Sequence, residues 1–215
     1  MQSVKRTRLD PEQRRAQLID LGVEMLSERT LDAISVEDIA DQAGVSRGLL
    51  FHYFSSKHDF HVAIVEHTSA QMLESTRPPE GQDPLTTLTS ALTSYVDYVT
   101  ANRSSYVSLL RGTASGDPDM RAVFERTRDV MVERTVSQLP LLGVDRTTRI
   151  ELAVRGWIAF CEEVTITWLN HSDLDRDELI DLLAQALPTM ALPEEAATAL
   201  SGHSAPLGDL GRGVR

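Results

Sequence analysis

The stretch that most restricts the fold is Ser35–Lys57, reading SVEDIADQAGVSRGLLFHYFSSK. It holds two short helical segments parted by one glycine, and each segment opens on a hydroxyl. Ser35 is placed to cap a helix beginning at Val36, because its oxygen can accept from the amide three residues on, at Asp38. Ser46 stands in the same relation to a helix beginning at Arg47. Gly44 ends the first segment, since the turn needs a positive φ that glycine adopts at little cost. Ile39, Ala40 and Ala43 form an inner face, with Ala40 small enough for a second helix to cross closely. Val45 plugs the turn, and Leu50, Phe51 and Phe54 are expected in the core. This is the pattern of a helix-turn-helix.

The rest of the chain reads as more helix. Residues 1–9 have no apolar periodicity and are expected to form a flexible basic arm. Asp10-Pro11-Glu12-Gln13 is a helix start, with Asp10 and Gln13 spaced for a capping box and Pro11 suited to the first position. That helix is predicted to reach about Glu28, with Ile19, Gly22, Val23 and Leu26 on one stripe. A fourth helix is expected over 57–74. Pro and Gly at 76–82 break the pattern, and further helices are predicted at 84–102, 104–112, 118–139, 145–171 and 173–187. The 145–171 segment is apolar on more than one face, so it must be covered on more than one side. From Pro188 on, the Gly, Pro and Ala content predicts a mostly disordered tail, with one helical turn near 194–200. The expected division is therefore an arm at 1–9, a DNA-binding domain at 10–56, a helical body at 57–187 and a tail at 188–215.

The central segment resembles the DNA-binding domain of the TetR family of transcriptional regulators. The residues that carry the likeness are Ser35, Val36, Asp38-Ile39-Ala40, Ala43-Gly44-Val45-Ser46, Gly48, Leu50-Phe51-His52-Tyr53-Phe54 and Lys57. Phe51 stands where tyrosine is commoner, and Thr30-Leu31 replaces a glycine–aromatic pair. The resemblance implies an all-α chain: a three-helix DNA-binding domain followed by a larger helical ligand-binding and dimerisation domain. It implies a regulator, expected to be a repressor, that binds a palindromic operator as a homodimer and is released by a small apolar or amphipathic ligand. An activator, or a ligand-independent DNA binder of the same fold, is the alternative, and a helical enzyme is a distant one.

Arg47, Gly48, Leu49 and His52 are assigned to the groove, where arginine can pair with guanine and leucine can meet a thymine methyl. Ser35, Ser46, Tyr53 and Lys57 are assigned to phosphates. The resemblance puts the dimer contact in 146–171 and 173–187, and an effector pocket in the body. Candidate lining residues are Tyr106, Leu110, Arg111, Phe124, Trp157, Phe160 and Glu162. Arg111 can hold a carboxylate and Glu162 a cation, although such charges are expected first to pair within the fold or to lie exposed.

A net charge of −11 opposes DNA binding only if it is evenly spread, and it is not: residues 1–15 carry a net +3. The single cysteine, Cys161, excludes an intrachain disulfide and is expected as a small buried residue. His58 and His61 are spaced to share a helix face, but a bare pair is too few ligands, so neither a metal nor a cofactor is expected. No apolar run reaches the roughly 18 to 20 residues of a membrane span. The charged N-terminus lacks the core of a secretory signal, which predicts a cytoplasmic protein.

Overall fold

The computed structural model describes residues 10–79, 81–171 and 173–191. The expected arm at 1–9, with its Arg6 and Arg8, and the turn predicted at 194–200 lie outside these residues. Among the described residues the chain is helical and contains no strand: α1 is Pro11–Leu26, α2 Val36–Ala43, α3 Arg47–Tyr53, α4 Lys57–Ser75 and α5 Pro84–Ala101. They are followed by α6 Arg103–Arg111, α7 Pro118–Val136, α8 Thr148–His171 and α9 Arg176–Ala191, with 3-10 turns at Leu31–Ala33, Thr113–Gly116 and Leu139–Leu142.

The helix starts follow from local chemistry. Asp10 accepts from the Gln13 amide at 2.8 Å while the Gln13 side chain accepts from the Asp10 amide at 3.2 Å, closing the expected capping box. Ser46 and Ser56 cap α3 and α4 in turn, accepting from the amides of Leu49 and Asp59.

The chain divides into two compact units. The first comprises residues up to Thr76 together with Asp97–Thr127; the second comprises Arg77–Val96 together with residues from Arg128 on. Packing does not break at residue 57. Leu18, Leu26, Ile34, Ile39, Leu50, Phe60 and Ile64 are all but inaccessible and share one core with Leu109 of α6 and Val123 of α7. Gly22 sets the approach of α1 to α4: a Cβ there would lie 2.5 Å from Ile64 Cδ1 and 3.0 Å from Phe60 Cζ. The Tyr98 hydroxyl, whose pKa burial raises, donates to the Thr68 carbonyl of α4 at 3.2 Å.

In the second unit α8 packs on α9. Trp157, Ile158 and Cys161 of α8 and Leu179, Leu183 and Leu187 of α9 are buried. Burial, with the Glu162 charge beside it, pushes the Cys161 thiol far up, so it is a packing residue as expected. Three charged contacts tie the last turns of α7 to α8 and the loop before it. Arg128 grips Glu162 through both carboxylate oxygens at 2.7 to 3.0 Å, Arg155 pairs with Asp129, and Arg146 bridges Glu133 and Glu151.

One expected boundary is corrected. The last helix does not stop before Pro188 but runs through it to Ala191. A proline inside a helix lacks an N–H and crowds the carbonyl four residues back, here that of Ala184. Continuation is rewarded because Leu187 and Ala191 are both buried. One residue from the crowded carbonyl, the Leu183 oxygen accepts from Trp157 Nε1 at 2.9 Å, which satisfies the buried indole.

Candidate nucleic-acid interface

The turn between α2 and α3 is built as its residue types require. Gly44 has φ +63°, its amide and that of Val45 reach back to the carbonyls of Asp41 and Ala40, and α2 ends in a Schellman pattern. At the other end of α2, Ser35 and Asp38 cap each other. The Asp38 amide donates to Ser35 Oγ at 3.1 Å, and Asp38 Oδ2 accepts from the Ser35 hydroxyl at 2.7 Å and from its amide at 3.3 Å. These bonds, with Arg29 at 3.2 Å, hold the Asp38 carboxyl below its usual range. The Ser35 hydroxyl proton is thus committed to Asp38 in the free protein.

Along α3, Leu50 is buried, Leu49 and Tyr53 are half-buried, and Arg47, Gly48, Phe51 and His52 are exposed. Phe51 is a correction: it is 45% exposed, whereas Leu50 and Phe54 fill the core. The reason is helical geometry. Leu50 and Phe54 lie four residues apart on one face, while Phe51 lies four after Arg47 and three after Gly48, on theirs. Arg47 pairs with Glu37 of α2 at 2.6 Å. Among the described residues a Cβ on Gly48 would touch nothing nearer than Ser46 Oγ at 3.9 Å, so packing among them does not call for glycine there. The His52 and Tyr53 rings meet edge-on at 5.3 Å. Lys57 Nζ donates to the Asp32 carbonyl at 3.0 Å, which pins the first turn of α4 to the loop between α1 and α2. The eight residues assigned to DNA therefore fall on α3 or at the starts of α2, α3 and α4.

The two histidines considered as a pair point to different partners. His61 is buried with Nε2 3.0 Å from the Ile34 carbonyl, and burial lowers its pKa. His58 faces two carboxylates at the start of α7: Nε2 is 2.9 Å from Asp119 Oδ2 and Nδ1 is 3.7 Å from Asp117 Oδ2. The Asp119 hydrogen bond, aided by the Asp117 charge, raises the His58 pKa. Ion pairing alone accounts for this approach.

The side chains considered for an effector divide between the units. Tyr106, Leu110, Arg111 and Phe124 belong to the first; Tyr106 and Phe124 are buried, Leu110 packs on the core, and Arg111 is exposed at the end of α6. Trp157, Phe160 and Glu162 belong to the second, where Trp157 is bonded to the Leu183 carbonyl and Glu162 to Arg128.

Two short helices joined through a left-handed glycine, with the second exposed along a basic and aromatic face, define a helix-turn-helix regulator on an all-helical chain. Residues 18–64 match the family described as bacterial regulatory proteins, tetR family, and residues 84–190 match the tetracyclin repressor-like C-terminal domain. The transcriptional regulator HbdR of Aromatoleum sp. (strain CIB) is 30% identical over 202 residues, 89% of this chain and 86% of its own. The transcriptional activator FasR of Mycolicibacterium smegmatis is 22% identical over 177 residues, 81% of each chain. The transcriptional repressor KstR2 of Mycobacterium tuberculosis is 48% identical over 46 residues, 21% of this chain and 23% of its own. A TetR-family regulator of Streptomyces coelicolor superposes with a TM-score of 0.76 at 27% identity, covering 90% of this chain and 89% of its own. The chain belongs to the TetR family of transcriptional regulators: it is a DNA-binding regulator and not an enzyme. Members of that family typically act as dimers answering to a small-molecule effector. No helix among the described residues is long and apolar enough to cross a membrane.

Proposed function

We propose that this chain is a cytoplasmic repressor that binds a palindromic operator as a homodimer and is released by a small apolar or amphipathic effector. The observation that carries the reading is the exposed face of α3, where Gly48 leaves open space between Arg47, Phe51 and His52. Residues 10–56 are the reading head and residues from 57 to the end of α9 the body. Arg47, Leu49 and His52 meet base edges, Phe51 adds an apolar contact, and Gly48 lets the α3 backbone come close. Ser35, Ser46, Tyr53 and Lys57 hold phosphates, with Ser35 exchanging its Asp38 bond for one to DNA.

One such helix spans only a few base pairs, so two copies related by a two-fold read half-sites about 34 Å apart. The dimer contact is the outer face of α8 and α9, which leaves Leu152, Leu182 and Met190 exposed. Gly156 lies on the same face, where an added Cβ would stand 3.9 Å from Met190 Cε. An effector in the body acts through α4. A tenfold loss of DNA affinity needs about 1.4 kcal/mol of coupling. The seven side chains considered for it form two sets, one per unit, to be tested separately by alanine substitution. An activator is the second reading, favoured by the likeness to FasR.

The test is a mobility shift at low salt on the DNA flanking the chain's own gene. A specific band that Arg47→Ala with His52→Ala abolishes is expected. No specific band, or one that the double variant leaves intact, refutes the reading. Transcription from that DNA, lowered or raised by the protein, separates repressor from activator.

A further inference from the structure

We propose that Glu37 is a specificity-determining residue: it pins Arg47 so that the guanidinium reads one guanine in each half-site instead of settling on a phosphate. The inference rests on the DNA-reading role of α3 proposed above.

The first turn of α2 carries two acidic residues, Glu37 and Asp38. A helix N-terminus attracts anions, and in a helix-turn-helix the first helix crosses the DNA backbone, so carboxylates there compete with phosphate. Each is matched to an arginine. Asp38 is spent on the Ser35 cap and on Arg29. Glu37 has no part in the cap. Its carboxylate lies 2.6 Å from an Arg47 terminal nitrogen, with both side chains at least half exposed.

An exposed ion pair of this kind contributes little to folding, so stability gives no strong reason for it. Its geometry gives a better one. Arg47 is the first residue of α3, the end of a recognition helix that contacts base edges. Guanidinium carries five N–H donors in a rigid plane. A carboxylate on one nitrogen fixes that plane and leaves other donors to meet the O6 and N7 acceptors of guanine. Without it, a flexible arginine beside the DNA backbone is drawn to whichever phosphate is nearest. Gly48, with open space where its Cβ would be, lets that end of α3 come near enough for the contact. Glu37 is therefore a positioning residue. Its negative charge also opposes binding where no guanine compensates.

Duplexes are selected from a random library by the wild-type chain, Glu37→Gln, Arg47→Ala and the double variant. Affinities are then measured on the wild-type-selected duplex, on single-base-pair changes of it, and on poly(dI-dC). The wild type is expected to prefer guanine at one position per half-site by about tenfold or more. Glu37→Gln should keep its melting temperature and bind poly(dI-dC) more tightly, with a log–log salt slope steeper by about one unit. Its preference at that one position should fall below about threefold, the others being kept. In the Arg47→Ala background, Glu37→Gln should change no base preference. An unchanged preference in Glu37→Gln overturns the proposal. So does a loss spread evenly over all positions, or a loss that persists without Arg47. A wild-type chain that selects no sequence overturns the operator reading itself, and this inference with it.

Discussion

Replacing Gly48 with alanine should move stability and DNA binding in opposite directions. Gly48 is the second residue of α3, its φ is not positive, and an added Cβ meets only Ser46 Oγ at 3.9 Å. The free protein therefore gains the helix preference of alanine over glycine, about 0.5 to 1 kcal/mol in a helix interior and no more than that in a first turn. For a chain of 215 residues that is a rise in melting temperature of about 1 to 4 °C. In the proposed complex with DNA the methyl would enter the space through which the α3 backbone approaches the groove. Overpacking at a close contact costs about 1 to 3 kcal/mol, an affinity loss of about 5- to 150-fold. Thermal unfolding followed by circular dichroism and fluorescence anisotropy on a labelled operator, run on the same preparation, measure both. A higher melting temperature with unchanged affinity would mean that nothing comes close to Gly48. A lower melting temperature would mean that Gly48 is not held in helical backbone with open space around it.

Two histidines set opposite pH limits. The raised pKa of His58 gives stability that is complete below its ordinary 6.5 and is lost as pH rises through the folded value. The lowered pKa of His61 gives stability that is complete above 6.5 and is lost as pH falls through the folded value. Denaturant midpoints from pH 5 to 9 should show His58→Gln flattening the alkaline side and His61→Gln the acid side. Glu162→Gln leaves Arg128 without its carboxylate in a contact only about a fifth to a quarter exposed. It should cost about 1 to 3 kcal/mol, read as a fall in melting temperature of about 2 to 4 °C per kcal/mol. Leu152→Glu with Leu182→Glu should halve the mass seen by light scattering and weaken operator binding, because both side chains are exposed on the face assigned to the partner copy, where like charges would repel. A dimer that survives both changes would move that interface elsewhere.

The reading head was legible from sequence because its signals are local. Ser35, Gly44 and Ser46 each act on an atom within five residues, and the chemistry of caps and turns fixes their spacing. An apolar run such as Leu50-Phe51 does not say which side chain turns inward, and so Phe51 escapes the core expected of it; the i, i+4 pair Leu50 and Phe54 decides it. The charges of the body were legible only as problems. Arg128 and Glu162 stand 34 residues apart, and His58 and Asp119 stand 61 apart. No periodicity connects them: Asp119, at the start of α7, meets α4 within the first unit, and Arg128, farther along α7, meets α8 within the second. Composition puts Pro188 at the start of the tail, yet burial of Leu187 and Ala191 carries α9 past it.

The closeness of α1 to α4 at Gly22 has a mechanical meaning. With Ile64 and Phe60 filling the place of a side chain there, and Lys57 tied to the loop before α2, the head has no joint of its own. It must travel with α4 as a pointer travels with its shaft. That shaft has 19 residues, about 28 Å of helix. A tilt of about 5° at its far end would carry the pointer about 2.5 Å, and two opposed pointers would part by about 5 Å, more than the 3.4 Å rise of a base pair. A single missing methyl group on α1 is what would let so small an angle be read on the scale of DNA.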